Sequence, residues 1–228
     1  MNILKTLIIC LQVFIFIKSI EAQSKEKPFK CGYWYKDEKQ LNPIYYNYFS
    51  FFGCKKGEEI ASVGAGGGVM EASIASYVDG ISWTLQDIDT VCLNTREFRK
   101  ILAYTVTLKN KPIKDSFTIV IGNEKSTNLI NNNYDRILLI NTYHELPHKV
   151  DILKDIYAKL KINGCLVVSD RFAEKKGVVR KDCGHEEPTE LELLSTLETA
   201  GFILISKKDI PKKRHYSHEC TIYTFAKK

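Results

Sequence analysis

From residue 58 onward the chain alternates two patterns. Short apolar runs at 59–63, 82–86, 117–121, 136–140, 165–170, 202–205 and 221–225 have the length and composition of buried strands. Between them, apolar positions recur every three or four residues. Val91, Phe98, Ile101, Leu102 and Val106 form one such stripe in a helix over 90–109, and Val150, Leu153, Ile156, Tyr157 and Leu160 form another in a helix over 147–161. Further helices fit 69–79 and 188–200, the latter opening at Pro188 and closing at Gly201. Asn163-Gly164 ends the helix before the fifth strand. Strands separated by helices predict a parallel sheet with right-handed crossovers. The last two runs have no helix between them, so they can pair antiparallel. Residues 41–52 are dense in aromatics, and their spacing allows a short amphipathic helix after Pro43 that packs on the sheet edge or forms a lid.

The first 22 residues do not fit this scheme. Lys5 precedes an apolar run of about twelve residues, within the range of a signal-peptide core and short for a membrane span. Ile20-Glu21-Ala22 offers a cleavage site. Residues 1–22 are therefore expected to be a signal peptide that exports the protein. The alternative is a short anchor, with Lys18, Lys25, Lys27 and Lys30 keeping the following chain cytoplasmic. Residues 23–57 form a polar, flexible lead-in plus the aromatic segment, and 58–228 form the main domain. The whole has 228 residues, 44% hydrophobic and 26% charged, as expected of a globular fold. The net charge of +6 comes without an interleaved basic and aromatic stripe, so no nucleic-acid partner is expected.

Candidate chemistry centres on the first strand and the turn after it. Glu59 starts the strand, Gly64-Ala65-Gly66-Gly67-Gly68 follows it, and a helix begins at Val69. Glycines at 64, 66 and 68 let the backbone turn sharply and approach a ligand closely. A dinucleotide fingerprint needs a third glycine at 69, where Val69 stands, which disfavours a nicotinamide oxidoreductase. Asp87 ends the second strand 23 residues after Gly64 (87 − 64), close to the spacing at which an acidic residue meets a ribose.

With this glycine turn and the Asp87-Ile88 pair, and with the runs 134–140 and 160–168, the sequence resembles the class I S-adenosylmethionine-dependent methyltransferases over 58–228. The resemblance implies an α/β, Rossmann-like three-layer sandwich with a mostly parallel seven-stranded sheet and an antiparallel last strand. It also implies S-adenosyl-L-methionine as cofactor, held by Glu59, Gly64, Ala65, Gly66, Gly68, Asp87, Ile88, Gly122, Asn123 and Asn141. Glu124 is a substitute for the acidic residue expected after strand three. The acceptor is expected to be a small molecule, because no added recognition domain is visible. A non-catalytic exported binding protein that retains the fold is the alternative, since the methyl donor is made in the cytosol.

Methyl transfer from a sulfonium asks the protein for proximity, orientation and at most a base. His144 and Glu145, just past strand four, are the base candidates, and Asn141 and Tyr143 shape the site. Asp89 is expected to cap the helix after strand two. No metal is assigned. Cys183 and His185 after strand five, with His215, His218 and Cys220 near the end, could hold zinc, but their spacing matches no zinc finger. The six cysteines after residue 22 permit disulfides in an exported chain, Cys183–Cys220 among them, without identifying a pairing. Lys207, Lys208, Lys212, Lys213 and Arg214 are expected to form a basic, solvated loop.

Overall fold

The computed structural model describes residues 31–210 and 220–228. The signal or anchor segment, and His215, His218, Lys212, Lys213 and Arg214, lie outside the described residues. Seven strands form one sheet: β1 (Glu59–Val63), β2 (Ser82–Asp87), β3 (Ser116–Ile121), β4 (Tyr134–Ile140), β5 (Leu160–Asp170), β6 (Phe202–Ile210) and β7 (Cys220–Lys227). Their order is β3-β2-β1-β4-β5-β7-β6, and all pairs are parallel except those of β7, which runs antiparallel to both β5 and β6. The order reverses beside β1, which opens a crevice at the carboxyl ends of β1 and β4, where such sheets bind ligands.

Helices cover both faces. On one side α1 (Glu38–Asn47), α2 (Val69–Ala75) and α3 (Thr95–Lys109) pack with Ile60, Trp83, Leu85 and Leu138. On the other, α4 (Lys149–Lys159) and α5 (Glu190–Thr199) pack with Val63, Ile137, Leu139, Leu166 and Phe225. Because strand side chains alternate between faces, neighbouring residues such as Leu138 and Leu139 serve opposite cores. Both are fully buried, as suits a parallel sheet covered on both sides.

Several boundaries differ from the sequence reading, for local reasons. The aromatic segment is a helix that starts before Pro43, capped by the Asp37 side chain on the Gln40 N–H, followed by a 3-10 turn over Phe49–Phe52. Phe49 and Phe52 are buried against the sheet, and the Tyr48 hydroxyl meets Ser169 Oγ at 2.5 Å, so this segment is packed structure rather than a lid. Asp89 does not cap α3. It accepts from the Val91 and Cys92 N–H groups in a turn, and Asn94 caps the helix by accepting from the Glu97 N–H. Asn163-Gly164 lies inside β5, not at a helix end. Tyr134 pairs with Leu160 and Arg136 with Cys165, so β5 bulges there, and a Cβ at Gly164 would meet the Tyr134 carbonyl at 2.7 Å. β6 runs on to Ile210, which places Lys207 and Lys208 on an edge strand rather than in a loop.

The lead-in is pinned from Cys31 onward. Cys31 and Cys92 form a disulfide with Cα atoms 5.5 Å apart, while Cys183 and Cys220 are both free thiols and not bonded to each other. Trp34 and Tyr35 pack on the core, and the Tyr104 hydroxyl donates to the Tyr35 carbonyl.

Candidate active site

The glycine turn is anchored from below. The Gly64 and Ala65 N–H groups donate to the Gln86 carbonyl at 2.9 and 3.0 Å, and this ties the turn to the end of β2. Gly64, Gly66 and Gly68 all have positive φ. At Gly64 an added Cβ would meet Thr142 Cγ2 at 2.2 Å, and at Gly67 it would meet the Cys31 carbonyl at 2.8 Å. At Gly66 it would meet nothing within 4 Å, because that residue faces the crevice. Asp87 reaches back over the turn: one carboxylate oxygen accepts from the Gly66 N–H at 2.7 Å, the other from the Asp89 N–H at 2.9 Å. A carboxylate has about four acceptor sites, so Asp87 is held in place with capacity to spare.

The crevice is a cleft of about 440 Å³, within the range of small-ligand sites. Gly64, Ala65, Gly66, Asp87, Ile88, Asn123, Asn141 and Glu145 all line it. Five predicted residues do not, among them Tyr143, which is fully buried. Glu59 sits at the far end of β1, where its N–H donates to Asp135. Gly68 caps α2 beneath the turn, with Phe98 at 2.7 Å from an added Cβ. Gly122 backs onto the Gln86 side chain, and His144 is turned into the protein. Residues not anticipated from sequence complete the lining, among them Tyr33, Met70, Gln86 and Thr127. Tyr33 reaches the cleft because the Cys31–Cys92 bond holds its segment there.

The cleft's charge is one-sided. Asp87, Asp89, Glu124 and Glu145 line it, and no Lys, Arg or His does among the described residues. Beneath it lies a fifth carboxyl. Glu71 on α2 is 1% exposed and accepts from the Ser62 hydroxyl at 2.6 Å, while its other oxygen has no partner. Burial pushes Glu71 up to about 7. The resemblance implies Glu59, at the start of the strand, as a cofactor residue. The residue that is buried near the turn is Glu71, and the short polar Ser62 that receives it was the available signal.

Behind the cleft is a compact polar cluster. The His144 ring and the Asp170 side chain are fully buried, with Nδ1 and Oδ2 2.9 Å apart, and the His144 backbone N–H donates to the same oxygen at 3.1 Å. Arg180 donates to the other Asp170 oxygen at 3.1 Å and to Asn141 Oδ1 at 2.9 Å, and it pairs with Asp182. His144 Nε2 faces Glu145 Oε1 at 3.4 Å and Cys183 Sγ at 3.6 Å. Burial lowers the basicity of His144, but its bonds to Asp170 and Glu145 outweigh this and hold it at about 9. Glu145 is held below its usual range, chiefly by its hydrogen bond to His144. Of the two base candidates, Glu145 therefore faces the cleft and His144 orients it from behind. Cys183 comes close because residues 180–185 fold into a turn closed by Arg180 N–H to His185 carbonyl and Gly184 N–H to Arg180 carbonyl bonds.

No protein-family model matches this sequence, and no curated protein does. Solved structures match by shape. The [4+2]-cyclase SpnF aligns over 95% of this chain and 94% of its own at 16% identity, with a TM-score of 0.62. The mitomycin 7-O-methyltransferase MmcR aligns over 83% of this chain and 53% of its own at 18% identity and a TM-score of 0.60. A SAM-dependent methyltransferase from Aquifex aeolicus aligns over 84% and 98% at 18% identity and a TM-score of 0.59. In sheet order, antiparallel last strand and shape, this chain has the fold of the class I SAM-dependent methyltransferases.

Proposed function

We propose that this protein is an S-adenosylmethionine-dependent methyltransferase acting on a small-molecule acceptor. The observation that carries the reading is a glycine turn opening onto a cleft lined by four carboxylates and, among the described residues, no cationic side chain. A dinucleotide brings a pyrophosphate, which such a lining repels. A sulfonium with an α-amino group brings cations, which it attracts. Asp87, already fixed by Gly66 and Asp89, would accept from the ribose hydroxyls. The open backbone at Gly66 would admit the cofactor, and Asn123 and Glu124 would flank its base. When bound, the cofactor supplies an activated methyl group. Glu145 then stands at the cleft wall as the acceptor's base, aligned by His144 and, behind that, by Asp170. No enzyme nucleophile is needed, because proximity and orientation provide most of the rate.

The Cys31–Cys92 disulfide favours an oxidising compartment, in line with an exported chain. It also favours a second reading, a binding protein that keeps the fold where the donor is not made. Incubation with methyl-labelled donor and fractionated small-molecule extracts separates the two. Transfer of label that Asp87→Ala abolishes supports the enzyme. Donor binding without transfer to any fraction supports the binding protein.

A further inference from the structure

We propose that His144, Glu145 and Cys183 form a binding site for a thiophilic divalent cation, zinc being the best fit, at the wall of the cleft. One donor atom from each, Nε2, a carboxylate oxygen and Sγ, lies within 4.8 Å of the other two. Two of the three separations have the right size for one shared ion. Zinc binds imidazole nitrogen at about 2.0–2.1 Å, carboxylate oxygen at about 2.0–2.2 Å and thiolate at about 2.3 Å. At tetrahedral angles those bonds hold nitrogen and oxygen about 3.4 Å apart and nitrogen and sulfur about 3.6 Å apart. The observed distances are 3.4 Å from Nε2 to Glu145 Oε1 and 3.6 Å from Nε2 to Cys183 Sγ.

The surroundings are those of a metal ligand set. A ligating histidine commonly gives its other ring N–H to a carboxylate, which fixes the tautomer and the ring plane. His144 has this partner in Asp170, and both side chains are fully buried. Arg180 does not spoil the charge balance. Its guanidinium lies 2.9 Å from Nδ1 but donates to Asp170 Oδ1 and pairs with Asp182, and the tautomer that frees Nε2 to ligate is the one in which Nδ1–H donates to Asp170 Oδ2. The donor set mixes thiolate, imidazole and carboxylate, which suits zinc better than magnesium or calcium. Binding would form three bonds to the ion and release to water the Cys183 thiol proton and any proton carried on Nε2. Three protein ligands leave a fourth position for water or an acceptor atom, the pattern of catalytic rather than structural zinc. Glu145 belongs to the cleft lining, so that position adjoins the ligand site, and in the metal-loaded protein Glu145 is a ligand, its role as the acceptor's base being confined to the metal-free protein.

The test is a titration of untagged, metal-stripped protein with cobalt(II), followed by displacement with zinc(II), in the wild type and in Cys183→Ser, Glu145→Gln and Cys220→Ser. Circular dichroism verifies that each variant is folded. The expected result is one equivalent of cobalt with a thiolate charge-transfer band and the intense visible bands of a tetrahedral ion, displaced one for one by zinc. Cys183→Ser removes the charge-transfer band and weakens zinc by at least about 100-fold, and Glu145→Gln weakens it by about 10-fold or more. Cys220→Ser changes nothing. Absence of stoichiometric binding by folded wild type, binding unaffected by Cys183→Ser, or binding lost in Cys220→Ser would each overturn the site. The methyl donor takes no part in this titration, so its outcome is independent of the proposed methyl transfer.

Discussion

Glu71 carries its charge at a cost. Its carboxyl group is buried beneath the glycine turn, one oxygen lacks a partner, and its folded-state value is raised from 4.5 to about 7. The folded protein therefore keeps a proton that the unfolded chain releases between those values. Stability falls as pH rises through that window, and the penalty persists above it. Glu71→Gln should flatten the fall and exceed wild type in stability at pH 8 by up to ~3 kcal/mol, with little gain at pH 4.5 or below. Urea midpoints at the two pH values measure this; equal differences at both would contradict the assignment. Gly64 is constrained sterically. The residue has φ of 72° and no room for a Cβ beside Thr142, so Gly64→Ala should lose at least ~1 kcal/mol and cofactor binding together. Gly177, with positive φ but open space around it, should lose stability on the same change without losing binding.

At the scale of elements, the Cys31–Cys92 bond is a clasp. It closes a loop of 61 residues and holds Gly32 and Tyr33 on the cleft wall. Loop-closure entropy assigns such a bond about 4 kcal/mol. Cys31→Ser with Cys92→Ser should lower the urea midpoint accordingly and weaken cofactor affinity; unchanged affinity would show that Tyr33 is a bystander. The pairing was not legible in the sequence, because strand order decides which cysteines meet. The strands themselves were legible. Their apolar runs are short, bounded by turns, and buried on two faces, as at Ile137 to Leu139. The boundaries that moved did so where tertiary pairing overrode a local signal. Asn163-Gly164 reads as a stop, yet the sheet absorbs it as a bulge. Pro43 reads as a helix start, yet Asp37 caps the helix earlier. Ser206 to Ile210 looks polar and loop-like, yet β7 recruits it as an edge strand.

Across the whole molecule, the sheet brings together residues far apart in sequence. Asp87, Asn123, Asn141 and Glu145 were readable as cleft residues because each follows a strand's carboxyl end. The partner Arg180 was not, since no local pattern says that a loop after β5 folds back onto His144, and Asp170, although it ends β5, reads as no more than the end of a buried strand. The resulting cleft carries four carboxylates and, among the described residues, no cation, whereas the chain is basic overall, with a net charge of +6. That contrast points to a cationic ligand and to binding that weakens with salt. The most direct test of the cofactor assignment is calorimetric titration of the wild type and Asp87→Ala with S-adenosylmethionine and, separately, with NAD. Wild type should bind the sulfonium at micromolar concentration, the variant should lose at least about 10-fold in affinity, and neither should bind the dinucleotide. Preference for NAD, or no binding of the sulfonium by well-folded wild type, would contradict the assignment.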